Sequence, residues 1–225
     1  MYADGNVLIK PDSCLSVTQI EQDLDILNKL KKVLNYTNPN YVVTDSKENR
    51  KRKYCMRIYN KKLVKGIINQ GCVVNKSLIL TFPTHILEEL MPHFIRGYFD
   101  GDGCIWCGKP HIDKNNRFIF NTKFTFTGSV YFITGLQNYL IDKLEFKKTK
   151  LSDRKKQNTT LTLEYSGLNQ CKKIYDFMYS NATIYGNRKK QKFEEIFSAN
   201  RKKLRFETRL IAGNPLESNK PQNSI

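Results

Sequence analysis

The chain has 225 residues, with 38 Lys+Arg against 21 Asp+Glu and a formal net charge of +17 at pH 7. A content of 40% hydrophobic and 12% aromatic residues fits a globular protein of one large domain or two small ones, and a chain this basic most often meets a polyanion, usually nucleic acid. No apolar run is long enough for a transmembrane helix, and Asp4, Lys10 and Asp12 interrupt any signal-peptide core after Met1, so the expected protein is intracellular, not secreted, contacts no membrane and keeps its six cysteines reduced.

In chain order, Met1-Tyr-Ala-Asp-Gly5 ends on an Asp-Gly turn. Residues 6–10 read as a strand and 13–18 as its hairpin partner, with Pro11-Asp12 between them. Ile20, Leu24, Ile26, Leu27, Leu30 and Leu34 mark an amphipathic helix. A second hairpin follows at 41–44 and 54–59, joined by the basic loop 47–53, and a short helix covers 63–68.

At the centre, Ile86, Leu87, Leu90, Met91, Phe94, Ile95 and Tyr98 recur at helical spacing. The helix is expected to stop in Asp100-Gly-Asp-Gly103, where two glycines permit the necessary backbone angles. Gly97 costs roughly 1 kcal/mol against alanine inside a helix, which implies a backbone passing close to it. Asp102 then stands at a helix C-terminus, where the dipole disfavours negative charge; a bound cation would resolve the conflict.

The second half repeats the order of the first. Strands are expected at 104–109 and 118–126, a helix at 130–144, strands near 146–152 and 160–165, and a helix at 169–179. The loop 147–156 is again basic, and the first hairpin is longer. Such a repeat fixes the architecture. A lone Cys104-x-x-Cys107 has no second pair at zinc spacing. After Arg205, residues 213–225 lack an apolar period and read as disordered.

Ile95-Arg-Gly-Tyr-Phe-Asp-Gly-Asp-Gly103 resembles the LAGLIDADG homing-endonuclease motif, with Arg96 and Gly101 at its two alanine positions. Tyr2-Ala-Asp-Gly5 resembles the tail of a second copy, with Tyr2 replacing the first acid and Asp4 matching Asp102. The resemblance implies an α+β fold of two αββαββα-type half-domains, 1–85 and 86–206, related by a pseudo-twofold axis. Each half-domain carries a curved antiparallel sheet that lies along double-stranded DNA. It also implies that the two motif helices pack through small residues, among them Gly97. The last acids, Asp4 and Asp102, with Gly5 and Gly103 beside them, would bind Mg²⁺ or another divalent cation such as Mn²⁺.

Further roles follow from the same resemblance. Lys76 and Lys189 take the place of the family's lysine near the scissile phosphates, and Gln19 that of a Gln after the second strand. The second half has Thr127-Gly128-Ser129 there. Strand residues Lys10, Ser16, Thr18, Lys123, Thr125 and Thr127 become candidate base readers, because major-groove edges carry distinct donor and acceptor patterns. Lys47, Arg50, Lys51, Arg52, Lys53, Lys147, Lys148, Lys150, Arg154, Lys155 and Lys156 become phosphate contacts.

The reading is a site-specific, metal-dependent DNA endonuclease with a long, nearly palindromic target. Alternatives are a decayed DNA-binding protein of the same fold, a splicing maturase that binds intron RNA, and a basic RNA-associated structural protein. The upstream part of the first motif helix is absent from the sequence. The expectation is that Met1 is not the original start, that an upstream helix completes a monomer, and that without it the central helix exposes its apolar side and self-associates.

Overall fold

The computed structural model describes residues 2–9, 12–43, 52–74, 76–109, 111–112, 118–119, 121–153 and 159–211. Lys10, Lys47, Arg50, Lys51, Arg154, Lys155, Lys156 and the tail from 213 therefore lie outside the described residues. The first half runs β1 (Gly5–Leu8), β2 (Cys14–Ile20), α1 (Leu24–Val33), β3 (Tyr41–Val43), β4 (Lys53–Tyr59) and α2 (Lys61–Asn69). Its last helix starts where the Asn60 side chain accepts a bond from the Leu63 N–H at 2.9 Å. The second half runs α3 (Met91–Asp102), β5 (Gly103–Cys107), β6 (His111–Ile112), β7 (Phe118–Ile119), β8 (Thr122–Ser129), α4 (Val130–Leu144), β9 (Thr160–Ser166), α5 (Leu168–Tyr179) and α6 (Asn187–Ile211). Among the described residues no helix is long and apolar enough to cross a membrane.

All the strands pair antiparallel. The first sheet has the order β1-β2-β4-β3 and the second β5-β8-β9, with β6-β7 a separate ribbon that extends the longer hairpin. The second sheet would match the first with a fourth strand beside β9. Residues 146–152, expected as that strand, supply only a bridge between Ser152 and Thr162. Phe146 is buried in the core instead, and Gln137 on α4 donates to the Thr149 carbonyl at 2.8 Å. These ties to the helix layer hold the segment away from a full ladder.

The central helix ends within Asp100–Gly103, as the sequence leads one to expect. It continues through Asp100 and Gly101 to Asp102, where Lys189 Nζ donates to the carbonyls of Phe99 and Gly101 at 2.7 and 2.9 Å. Phe99 also accepts from the Gly103 N–H; carbonyls of a helix's last turn depend on such partners from outside the regular ladder. Of the apolar residues expected to face water, Leu87 and Leu90 are exposed, whereas those within α3 itself are covered. Met91, Ile95, Tyr98 and Phe99 are buried, the last three within the second half's own core beside α4 and α5.

The two cores are unequal. The second half packs Phe99, Phe124, Phe126, Phe132, Leu136 and Ile174 into one large cluster, whereas the first holds Val7, Leu15, Val64 and Cys72. Tyr2 packs against both. Its ring meets Phe94 edge-on at 4.9 Å, and its hydroxyl donates to the Gln70 carbonyl. Phe132 has no exposed surface and stacks on Tyr98 at 4.0 Å. Phe132→Ala should therefore cost about 3–5 kcal/mol, read as a lower urea midpoint with an unchanged slope.

Candidate active site

Asp102 ends α3, and Asp4 ends the short segment that leads into β1. The two meet because Gly101 has no side chain. A Cβ there would overlap the Ala3 Cβ and stand 2.9 Å from Asp4 Oδ2. Gly97, expected at this contact, has no atom of another element within 4 Å of where its Cβ would be. Residues 2–4 touch α3 one turn further on, at its last turn, so the close approach belongs to Gly101. Gly103 serves the exit from the helix, since a Cβ there would meet the Phe99 carbonyl oxygen at 2.6 Å.

The two carboxylates face two clefts. One, of about 360 Å³, is lined by Asp4, Gln19, Asp23, Gly97 and Lys189. The other, of about 190 Å³, is lined by Asp102, Lys76, Tyr98, Thr127 and Gly128. Each cleft thus joins the carboxylate of one half to the lysine of the other. Gln19 Nε2 donates to Asp4 Oδ2 at 2.6 Å. Among the described residues no hydrogen bond to the Asp102 carboxylate is present.

Asp102 is open to solvent but crowded by protein. This desolvation, with the Asp4 charge added, raises its pKa against the pull of Lys76 and Lys189. Lys189 is only 8% exposed, and burial lowers its pKa even though Asp100 and Asp4 favour its charge. Lys76 Nζ donates to the Gly5 carbonyl. Both lysines thus spend donors on the backbone of their own motif turn.

The segment that carries Lys189 is anchored on two sides. Asp100 accepts from the Gly186 N–H at 2.8 Å and from the Tyr179 hydroxyl at 3.2 Å. Buried Arg96 donates to the carbonyls of Ile184 and Met178, at 2.8 and 2.9 Å. From the first half, Asp23 receives two bonds from Arg188, at 2.8 and 2.7 Å. Lys29 reaches Asn187 Oδ1 at 2.6 Å. Arg96 and Asp100 were read as motif positions, and Arg188 only as a basic neighbour of Lys189; their anchoring contacts were not anticipated from sequence.

The candidate base readers lie on the sheet faces turned away from the helices. Cross-strand register puts Lys123, Thr125 and Thr127 of β8 on one face with Trp106 and Cys104 of β5, while Phe124 and Phe126 point into the core. Lys123 pairs with Glu164 at 3.0 Å and lies 5.7 Å from the Trp106 ring centroid. Thr125 is only 9% exposed. In the first sheet Ser16 stands opposite Arg57, Thr18 opposite Cys55 and Ile20 opposite Lys53. Arg57, exposed and 5.7 Å from the Tyr41 ring centroid, was not picked out from sequence. Arg52 lies 3.9 Å from Glu21, and Lys147, Lys148 and Lys150 are exposed.

The donor set fits a hard divalent cation. Two carboxylates supply oxygen, and His93, which lines the Asp4 cleft, is engaged with Arg96 instead; Mg²⁺ commonly takes one or two carboxylates and completes its shell with water and phosphate. Among the described residues no cluster of three such side chains exists, so the remaining ligands would come from backbone, water and substrate.

Two outcomes follow. Gly101→Leu should force residues 2–4 off α3 and lower thermal stability. Asp102 is protonated more readily in the folded chain than in the unfolded one. Its contribution to stability is therefore full below the unfolded pKa and lost as pH rises through the raised folded value. Above that value, and without divalent cation, Asp102→Asn should melt higher than the wild type, and the gap should close when Mg²⁺ is added.

No protein-family model matches the chain, and no curated protein matches it in sequence. Solved structures do match it. The LAGLIDADG meganuclease I-AabMI bound to uncleaved DNA superposes with a TM-score of 0.58 at 13% identity, over 91% of this chain and 89% of that one. The homing endonuclease I-LtrWI bound to target DNA gives 0.58 at 13% identity, over 90% and 88%. I-SmaMI bound to cleaved DNA gives 0.55 at 12%, over 94% and 87%. With three strands in corresponding order in both halves and two motif ends meeting at Gly101, the chain has the fold of the LAGLIDADG homing endonucleases.

Proposed function

We propose that this chain is a member of that family and a site-specific endonuclease for double-stranded DNA, dependent on Mg²⁺ or a similar divalent cation. The observation that carries the reading is the meeting of Asp4 and Asp102 at Gly101, each facing a cleft that also holds a lysine. Two like charges brought together at a helix end repel strongly. A fold that keeps them there is built for a cation.

Hydrolysis of a phosphodiester needs an activated water, neutralisation of charge on the phosphoryl oxygens and help for the leaving oxygen. A divalent cation at such a site supplies a Lewis acid and a water of lowered pKa. The chain's own residues do the rest. Asp4 and Asp102 would hold the cation, and Gln19 fixes one Asp4 oxygen. Lys76, beside Asp102, places positive charge at the phosphate. The outer faces of the two sheets carry Arg57, Lys123 and the threonines toward the major groove, and the excess of basic residues, Arg52 and Lys53 among them, supplies affinity without sequence preference. One chain provides both motif ends, so the acting species is a monomer.

A second reading, binding without cutting, is favoured by one observation: the Lys189 ammonium is buried and already bonded to Phe99 and Gly101. A nicking assay with Mg²⁺, and with EDTA as control, separates the two. Competition by RNA tests the maturase alternative.

Asp102→Asn should abolish Mg²⁺-dependent cleavage while DNA affinity holds, because the amide keeps the shape and loses the charge. Replacing Arg52 and Lys53 with neutral residues should weaken binding to all duplexes alike, and should flatten the salt dependence by about 0.9 log units for each phosphate that is no longer neutralised. Altered sequence preference with an unchanged salt slope would make them base readers instead.

A further inference from the structure

The register of the two sheets identifies the residue that corresponds to Gln19. Gly5 pairs with Val17 in the first sheet, and Gly103 pairs with Phe126 in the second. Two residues further along the partner strand stands Gln19 in one half and Gly128 in the other. The second half therefore lacks a side chain at the position from which Gln19 reaches Asp4.

That space is filled from elsewhere. A Cβ at Gly128 would overlap the Tyr98 hydroxyl and stand 3.4 Å from Tyr98 Cζ. Tyr98 lies on α3, one helical turn before Asp102, and is 3% exposed. Its hydroxyl donates to the Thr127 carbonyl at 2.9 Å, and its ring is stacked on Phe132. The phenol lines the same cleft as Asp102 and Lys76. So where Gln19 ties a strand end to its carboxylate directly, Tyr98 ties the helix that bears Asp102 to the end of β8. Gly128 is the vacancy that makes room for it.

We propose that Tyr98 is the positioning residue of the Asp102 half-site, standing where Gln19 stands at Asp4, so that the two half-sites are aimed by different chemistry. The proposal rests on the nuclease reading above.

The test uses the full chain and a duplex recovered by selection from a randomised library, with its strands labelled by different dyes. Single-turnover nicking with Mg²⁺ is followed on each strand. Tyr98→Phe and Gly128→Ala should each slow the same strand by about 10–100-fold, the usual loss when a ligand's supporting contact is removed. Gln19→Ala should slow the opposite strand, and duplex affinity should hold in all three. A second readout does not depend on cutting. Gly128→Ala alone should lower the melting temperature by about 2–4 °C. In the Tyr98→Phe background, where the hydroxyl no longer competes for the space, it should change little. Parallel slowing of both strands, no slowing of either, or additive melting shifts would overturn the role of Tyr98 and leave the nuclease reading standing. A wild-type chain that nicks neither strand, and whose melting does not respond to Mn²⁺, overturns the nuclease reading and the role of Tyr98 together.

Discussion

The contact between Ala3-Asp4 and Gly101 is the constraint on which the rest of the molecule depends. It is the only way the structure brings two motif ends close enough to present Asp4 and Asp102 at one place. The arrangement works against elementary electrostatics. The carboxylates repel each other, one sits at the negative end of a helix dipole, and crowding raises the Asp102 pKa further. Lys76 and Lys189 offset part of that cost from the flanks. What they leave over is an appetite for a cation, and the chemistry proposed here begins from it.

The two halves solve a second problem in parallel with different residues. Tyr2 and Asp100 occupy the same motif position, two residues before Asp4 and Asp102 respectively. Tyr2 sends its hydroxyl to the Gln70 carbonyl, against Gly71, whose φ of +86° no side chain would readily adopt. Asp100 takes the Gly186 N–H. Each thereby pins the loop that delivers its half's lysine, Lys76 or Lys189. A phenol that donates and a carboxylate that accepts do one job, because one loop offers a carbonyl and the other an amide. Replacement of the acid by Tyr2 is therefore a change of donor for acceptor, and the pin survives it.

Much of this was legible in the sequence, for a physical reason: periodicity and turn residues act locally. The helix over 130–144 was read to the residue, the first-half strands to within a few residues, and the repeat revealed the pseudo-symmetry. What could not be read depended on partners far away in the chain. Gly97 and Gly101 are equally plausible contact points until the height at which residues 2–4 cross α3 is known. The helix end at Asp102 was legible, but not that Lys189, almost ninety positions later, bonds its last carbonyls. The strand near 146–152 dissolves into one bridge because Gln137 and the core claim its residues. Gly128 looked like a mere absence of glutamine, and only strand register shows whose hydroxyl needs the space.

The same local asymmetry extends to the surfaces that would meet DNA. On the first sheet Arg57 lies near the Tyr41 ring across from Ser16, a positive fork of the kind that suits a base edge with two acceptors. On the second, Lys123 is shared between Glu164 and Trp106, so the face presents both signs of charge and a large apolar ring. If both sheets meet DNA as proposed, such different outer faces would not prefer the same half-site. On the nuclease reading, twofold symmetry then survives only in the backbone, which sets where the two strands are cut. Recognition on the two sides is set independently, and the target is palindromic in geometry more than in sequence.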